Sequence, residues 1–221
     1  MAEIPNSPNY AFGEEVANSI THGVGILLAI VGLAVMIYFA SLYGNHWHLV
    51  SCSVFGATLI FAYTTSTLYH SIPLKGPKRV LRILDHAAIF LLIAGTYTPF
   101  TLVSLHGPWG WSLFGVIWGL AILGVICKAC MPKSLTNIST LLYIAMGWVV
   151  VIAARPMLAS VEPGGLWLLL AGGLAYTGGV LFYLFDRMPY NHMVWHLFVM
   201  AGSILHFFAI LLYVIPGPQL A

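Results

Sequence analysis

His192 and His196 stand four residues apart near the end of the chain. On a helix that spacing puts both imidazoles on one face, about 6 Å apart. Two such rings can share one ion at Zn–N distances of about 2.0–2.1 Å. Far upstream, Ser66-Thr67-Leu68-Tyr69-His70 sets a hydroxyl one turn below a third imidazole, and Asp85 stands at the start of another apolar run. Three histidines and a carboxylate make a three-ligand site with an open fourth position, the pattern of catalytic rather than structural zinc. Copper(I) prefers sulfur, and magnesium and calcium prefer oxygen, so zinc is the metal expected. The same HxxxH near a helix end also suits two interfacial histidines bonded to lipid headgroups. Four candidate ligands from three helices at one depth weigh toward the metal. Zinc so held would lower the pKa of water toward about 7 and polarise a carbonyl, with Asp85 accepting the proton and Ser66 bonding the oxyanion.

The elements that must position these groups follow from composition. Of 221 residues, 60% are hydrophobic and only 6% charged, against about 25% charged in a soluble globule. The outer surface must therefore face lipid, which excludes a soluble enzyme or a disordered chain. A net charge of +2 is too small to grip a nucleic acid. A membrane helix needs about 20 mainly apolar residues, and seven segments qualify, near 20–42, 48–70, 84–105, 110–130, 135–154, 165–185 and 192–215. The expected fold is an all-α, seven-transmembrane helix bundle, a single domain over residues 1–221 with a short N-terminal segment, 1–19. That segment holds Glu3, Glu14 and Glu15 but no Lys or Arg, so no cleavable signal peptide is expected. Connectors carry Gly44, Pro73, Gly107, Pro132, Pro156 and Pro189.

Lys75, Lys78, Arg79, Arg82, Lys128, Lys133 and Arg187 fall on the side of the N-terminus, and only Arg155 on the other. The positive-inside rule then predicts a cytoplasmic N-terminus and an outside C-terminus, in the cell membrane. Loop residues Lys75 to Arg82 also suit anionic headgroups.

Other features read as structure. Pro99 predicts a kink in helix three. Gly115 with Gly119, and Ala171 with Ala175 and Gly179, predict close helix packing. Cys127 and Cys130 form a CxxC at a helix C-terminus, where the dipole raises a thiol pKa, so packing is the expected role. His206, about 15 Å beyond His196, is expected to bond across helices to a serine or tyrosine. Asn18 and His22 lie at the depth of second-layer partners, along with Glu14 or Glu15 as a cap. His86 points about 100° from Asp85 and is the weaker ligand. His46, His48 and His106, beside Trp47, Trp109 and Trp111, read as an interfacial aromatic belt.

Glu14-Glu15 with Asn18 and Thr21-His22-Gly23, Ser66 to His70, Leu84-Asp85-His86, Gly95 to Phe100, and Tyr190 to His196 occur in order along the chain. The set resembles the hemolysin-III-like bacterial branch of the progestin and adipoQ receptor family, which is related to adiponectin receptors and alkaline ceramidases. The resemblance implies a seven-helix barrel with a cytoplasmic-side zinc on three histidines, matching His70, His192 and His196. It further implies an aspartate near the metal, matching Asp85, and a serine one turn from the first histidine, matching Ser66. It points to hydrolysis of a membrane lipid amide, with haemolysis and control of membrane state as further associations. The competing expectation is a membrane sensor or homeostasis protein with structural zinc. A haemolytic pore-former is disfavoured because the chain lacks the charge for a water-soluble state. A channel is disfavoured because the ionisable groups gather at one end.

Overall fold

Lipid offers no partners to backbone N–H and C=O groups, so apolar runs in a bilayer must close their hydrogen bonds internally as helices. The computed structural model of the chain describes residues 10–130, 136–184 and 188–217, and among these no strand occurs. Among the described residues, seven helical spans are long and apolar enough to cross a membrane. They are built from α1 (Phe12–Tyr43), α2 (His46–Ser71), α3 (Lys75–Pro99), α4 (Pro108–Cys130), α5 (Thr136–Trp148), α6 (Ala154–Ser160), α7 (Pro163–Leu184) and α8 (Asn191–Tyr213). Glu3, Pro132, Lys133 and Arg187 lie outside the described residues.

Neighbours in sequence are neighbours in space. α1 packs on α2, α2 on α3, α3 on α4 and α7 on α8, while α8 returns to α1 and α5 touches α3, α4 and α7. This arrangement closes the ring. Phe55, Phe90, Met36, Ile117 and Ile210 are fully buried inside it, whereas Leu141, Ile152, Trp167, Leu181 and Leu212 stand exposed on its outer surface.

Three boundaries depart from the sequence expectation. α1 begins at Phe12 rather than near 20, because Glu14 folds back to accept from the Ala11 backbone N–H at 3.0 Å and two acidic residues suit the positive end of the helix dipole. α3 begins at Lys75 rather than near 84: the basic run is helical, with Pro77 tolerated in the first turn. Asp85 therefore lies nearly three turns inside its helix instead of opening it. The fifth span does not stop near 154. It passes through a 3-10 turn, Val149–Ala153, into α6, which takes in Arg155 and Pro156.

That break is held from outside. Tyr97 of α3 shares its one O–H between the carbonyls of Met146 and Gly147, at 3.0 and 2.8 Å, and accepts from Val150 N–H at 2.9 Å. A neighbouring hydroxyl thus satisfies the backbone groups that the break releases. The disturbance at Pro99 takes the form of a following π-helical turn, Phe100–Ser104.

Small residues pack differently from expectation. A Cβ at Gly115 or Gly119 would meet nothing within 4 Å, so that GxxxG is not a close contact. The closely approached glycines of α4 are instead Gly124, against Phe90, and Gly110, against the Thr101 and Leu105 carbonyls. On α7 Ala171 is exposed, and the seam toward α8 is Gly165, Gly172 and Gly179, facing Tyr213, His206 and Phe198. Cys127 and Cys130 are free, and Cys130 is exposed rather than packed. Trp47 packs in tilted and edge-on contacts with His46, His106 and Trp111, as a belt would. His48 is instead buried and joins the cap of α2 with Asn45, at 3.0 Å.

Candidate metal centre

His70 lies in the last turn of α2, and His192 and His196 lie in the first turns of α8. α8 starts abruptly because Tyr190 turns the chain in the left-handed region, at φ 57°. The two helix ends meet, with ring centroids 5.0 Å apart for His70 and His192, 5.3 Å for His70 and His196, and 4.6 Å for His192 and His196. One ligating nitrogen from each lies within 4.8 Å of the others. All three rings are buried, so three close histidines here could hold a metal ion.

The fit can be judged from hydrogen-bond accounting. A buried polar atom without a partner carries a desolvation cost of about 1–3 kcal/mol. Nε2 of His70 and Nε2 of His192 are both buried and unpartnered. The opposite nitrogens are occupied where the partners are seen. His70 Nδ1 meets Glu15 Oε2 at 2.6 Å, so it donates to the carboxylate and leaves Nε2 as a lone pair. His196 Nδ1 lies 3.3 Å from the Asn18 carbonyl and 3.2 Å from Thr21 Oγ1. A carbonyl only accepts, so Nδ1 carries the proton and Nε2 is the nitrogen that could take a metal ion. Carboxylate or carbonyl partners of this kind orient metal-binding histidines. The donor set and its outer partners fit zinc.

α1 supplies that outer layer, and its early start is what makes this possible. Glu15 serves His70 with one oxygen and Lys78 of α3 with the other, at 2.6 Å. Glu14 has a different task, accepting from the backbone of Ala11 and of Tyr190. Asn18 approaches His70 as well, at 3.5 Å. His22 makes no hydrogen bond: it stacks on His196 with centroids 3.5 Å apart and an 11° interplanar angle, and both its nitrogens are unpartnered. Tyr10 covers the other end, 5.1 Å from the His192 ring, and burial pushes its phenol pKa up.

Ser66 and Asp85 stand beside the histidines, lining one cavity with His192 and His196. Ser66 Oγ lies near the Asp85 carboxylate but outside hydrogen-bonding geometry, buried without a partner. His86 remains apart from the ligands, with Nδ1 on the Arg82 carbonyl at 2.7 Å. The cavity continues along the bundle to Thr177 and His206. His206 does bond across helices, but to the Leu169 carbonyl, at 3.1 Å, rather than to a side chain.

The residues that the sequence left unassigned here are Thr21, Lys78 and Tyr10. Thr21 shares a face with Asn18 at i, i+3, which is a usable signal. Nothing in spacing pairs Lys78 with Glu15, because the two lie on different helices.

The comparisons agree with this architecture. The family described as "Haemolysin-III related" matches residues 10–207. Hemolysin-3 of Bacillus cereus is 46% identical over 203 residues, spanning 92% of this chain and 93% of that protein. A Hemolysin-3 homolog of Bacillus subtilis is 43% identical over 212 residues, spanning 96% and 100%. The human monocyte to macrophage differentiation factor is more distant, 29% identical over 213 residues, spanning 93% of this chain and 86% of that protein. Seven apolar spans, the buried histidine cluster and a match over nearly the whole length together establish that this chain, a multi-pass protein of the plasma membrane, belongs to the haemolysin-III related family.

Proposed function

We propose that the protein is a zinc-dependent hydrolase that cleaves an amide bond in a membrane lipid. The observation that carries this reading is the cavity: His192 and His196 of the cluster line it together with Ser66 and Asp85, whereas a purely structural zinc site is closed. Nε2 of His70, His192 and His196 would hold the ion. Zinc bound there supplies Lewis acidity and draws the pKa of water toward about 7.

The chain's own groups do the rest. Water adds to the amide carbonyl carbon while Asp85 takes the proton it releases, as a general base. Ser66 O–H donates to the carbonyl oxygen as that oxygen becomes negative, which uses the hydroxyl that otherwise has no partner. The carbon–nitrogen bond then breaks, and Asp85 returns its proton to the leaving amine, so a fatty acid and an amine result. The apolar body of the cavity keeps bulk water from the acyl chain. On the positive-inside count this end faces the cytoplasm.

Lipidomics of cells producing wild-type protein or Asp85→Ala tests the reading. A lipid amide should fall, and its free acid rise, with wild type only. Identical lipid profiles would favour a non-catalytic sensor with structural zinc.

A further inference from the structure

The end of the cavity away from the metal centre is built from polar groups whose hydrogens are all committed. Tyr63 O–H donates to Ser203 Oγ at 2.8 Å, and Ser203 O–H donates to the Val199 carbonyl at 3.0 Å. Because the Ser203 proton is spent, Tyr176 is the donor in its 2.7 Å bond to Ser203. Trp148 Nε1–H donates to Thr177 Oγ1 at 3.0 Å, and Thr177 O–H to the Gly173 carbonyl at 2.8 Å. His206 Nε2 faces the Leu169 carbonyl at 3.1 Å; since a carbonyl only accepts, Nε2 carries the ring proton. Nδ1 of His206 is then a bare acceptor, buried and without a partner. The His206 ring is 7% exposed and lines the cavity, seated where Gly172 leaves it room.

Donors spent and acceptors left over select the chemistry of an occupant. A carboxylate, phosphate or ketone brings only acceptors and finds nothing there to bond it. A hydroxyl brings a hydrogen to an atom that otherwise stays unpaired in an apolar setting. We propose that this end of the cavity is a binding site for a hydroxyl group carried on a lipid chain, with His206 as its acceptor. His206 lies ten residues beyond His196 on α8, about 15 Å, so the hydroxyl sits about that far from the group at the histidine cluster. The proposal rests on the cavity being the lipid site of the function proposed above, but not on hydrolysis.

Purified full-length protein, wild type and variants, would be titrated with octadecanoic acid, with the same acid carrying a hydroxyl near mid-chain, and with its mid-chain keto analogue. Quenching of tryptophan fluorescence gives each Kd. Wild type should bind the hydroxy acid about tenfold more tightly than the parent acid, which corresponds to about 1.4 kcal/mol. The keto analogue should gain nothing. His206→Phe should erase the preference while leaving binding of the parent acid intact. Gly172→Ala, whose Cβ would collide with the His206 ring, should erase it by a second route. Equal binding of the hydroxy and parent acids by wild type, or a preference that survives in both variants, overturns the proposal while the lipid reading stands. Failure of all three acids to bind overturns both.

Discussion

Glu15 divides one carboxylate between His70 on α2 and Lys78 on α3, both at 2.6 Å. The bond to His70 Nδ1 fixes the tautomer and turns Nε2 toward the cluster, and Lys78 keeps the carboxylate in position. Glu15→Gln keeps the shape but loses the charge, and an amide can present its N–H₂ to the ring instead. Outer partners of this kind contribute about 10–100-fold in metal affinity. Competition with a zinc-binding dye should show a loss in that range for Glu15→Gln. An unchanged affinity would mean that Glu15 only packs the helices together. Glu14→Gln, which removes no histidine partner, serves as the control. Retention of zinc by a His192→Ala plus His196→Ala double variant, measured by elemental analysis, would sink the ligand assignment itself.

Helix packing decides which small residues matter. In lipid no hydrophobic force draws helices together, so close backbone approach and van der Waals contact must do so. Gly179 on α7 lies against Phe198 and Trp195 of α8, whereas Gly115 on α4 faces open space. Gly179→Leu should therefore overpack the α7–α8 seam and cost about 1–3 kcal/mol, seen as a lowered thermal midpoint in detergent. Gly115→Leu should leave the midpoint nearly unchanged. The reverse order would mean that α4 packs on a face other than the one described. This contrast shows how far sequence reasoning reached. Both GxxxG in α4 and the small residues of α7 were visible as patterns, but a pattern does not say which side of a helix its neighbour occupies.

At the scale of the whole molecule, the histidine cluster ties α2 to α8, and α1 lies over both with Glu15, Asn18 and Thr21. A metal bound there would join the end of α2 to the start of α8, at one end of the bundle. At a thousandfold excess over its Kd, such a ligand contributes about 4 kcal/mol to stability. Stripping zinc with a chelator should lower the thermal midpoint by several degrees in wild type, and returning zinc should restore it. The double histidine variant should not respond to either treatment. A wild-type midpoint indifferent to both would show that nothing of consequence binds at the cluster.

The sequence by itself determined the solvent and the class of fold, because 6% charged residues cannot cover a water-facing surface and seven apolar runs of sufficient length must close their own hydrogen bonds. It also identified His192 with His196, and Ser66 with His70, since an i, i+4 pair is a local property of one helix. Only the tertiary structure decided the rest. It chose Glu15 over Glu14, brought Lys78 and Thr21 to the cluster, laid His22 flat on His196, and turned the Gly115 face outward. Each of these depends on the rotation of one helix against another, and that rotation is set by side-chain packing across the bundle rather than by spacing along the chain.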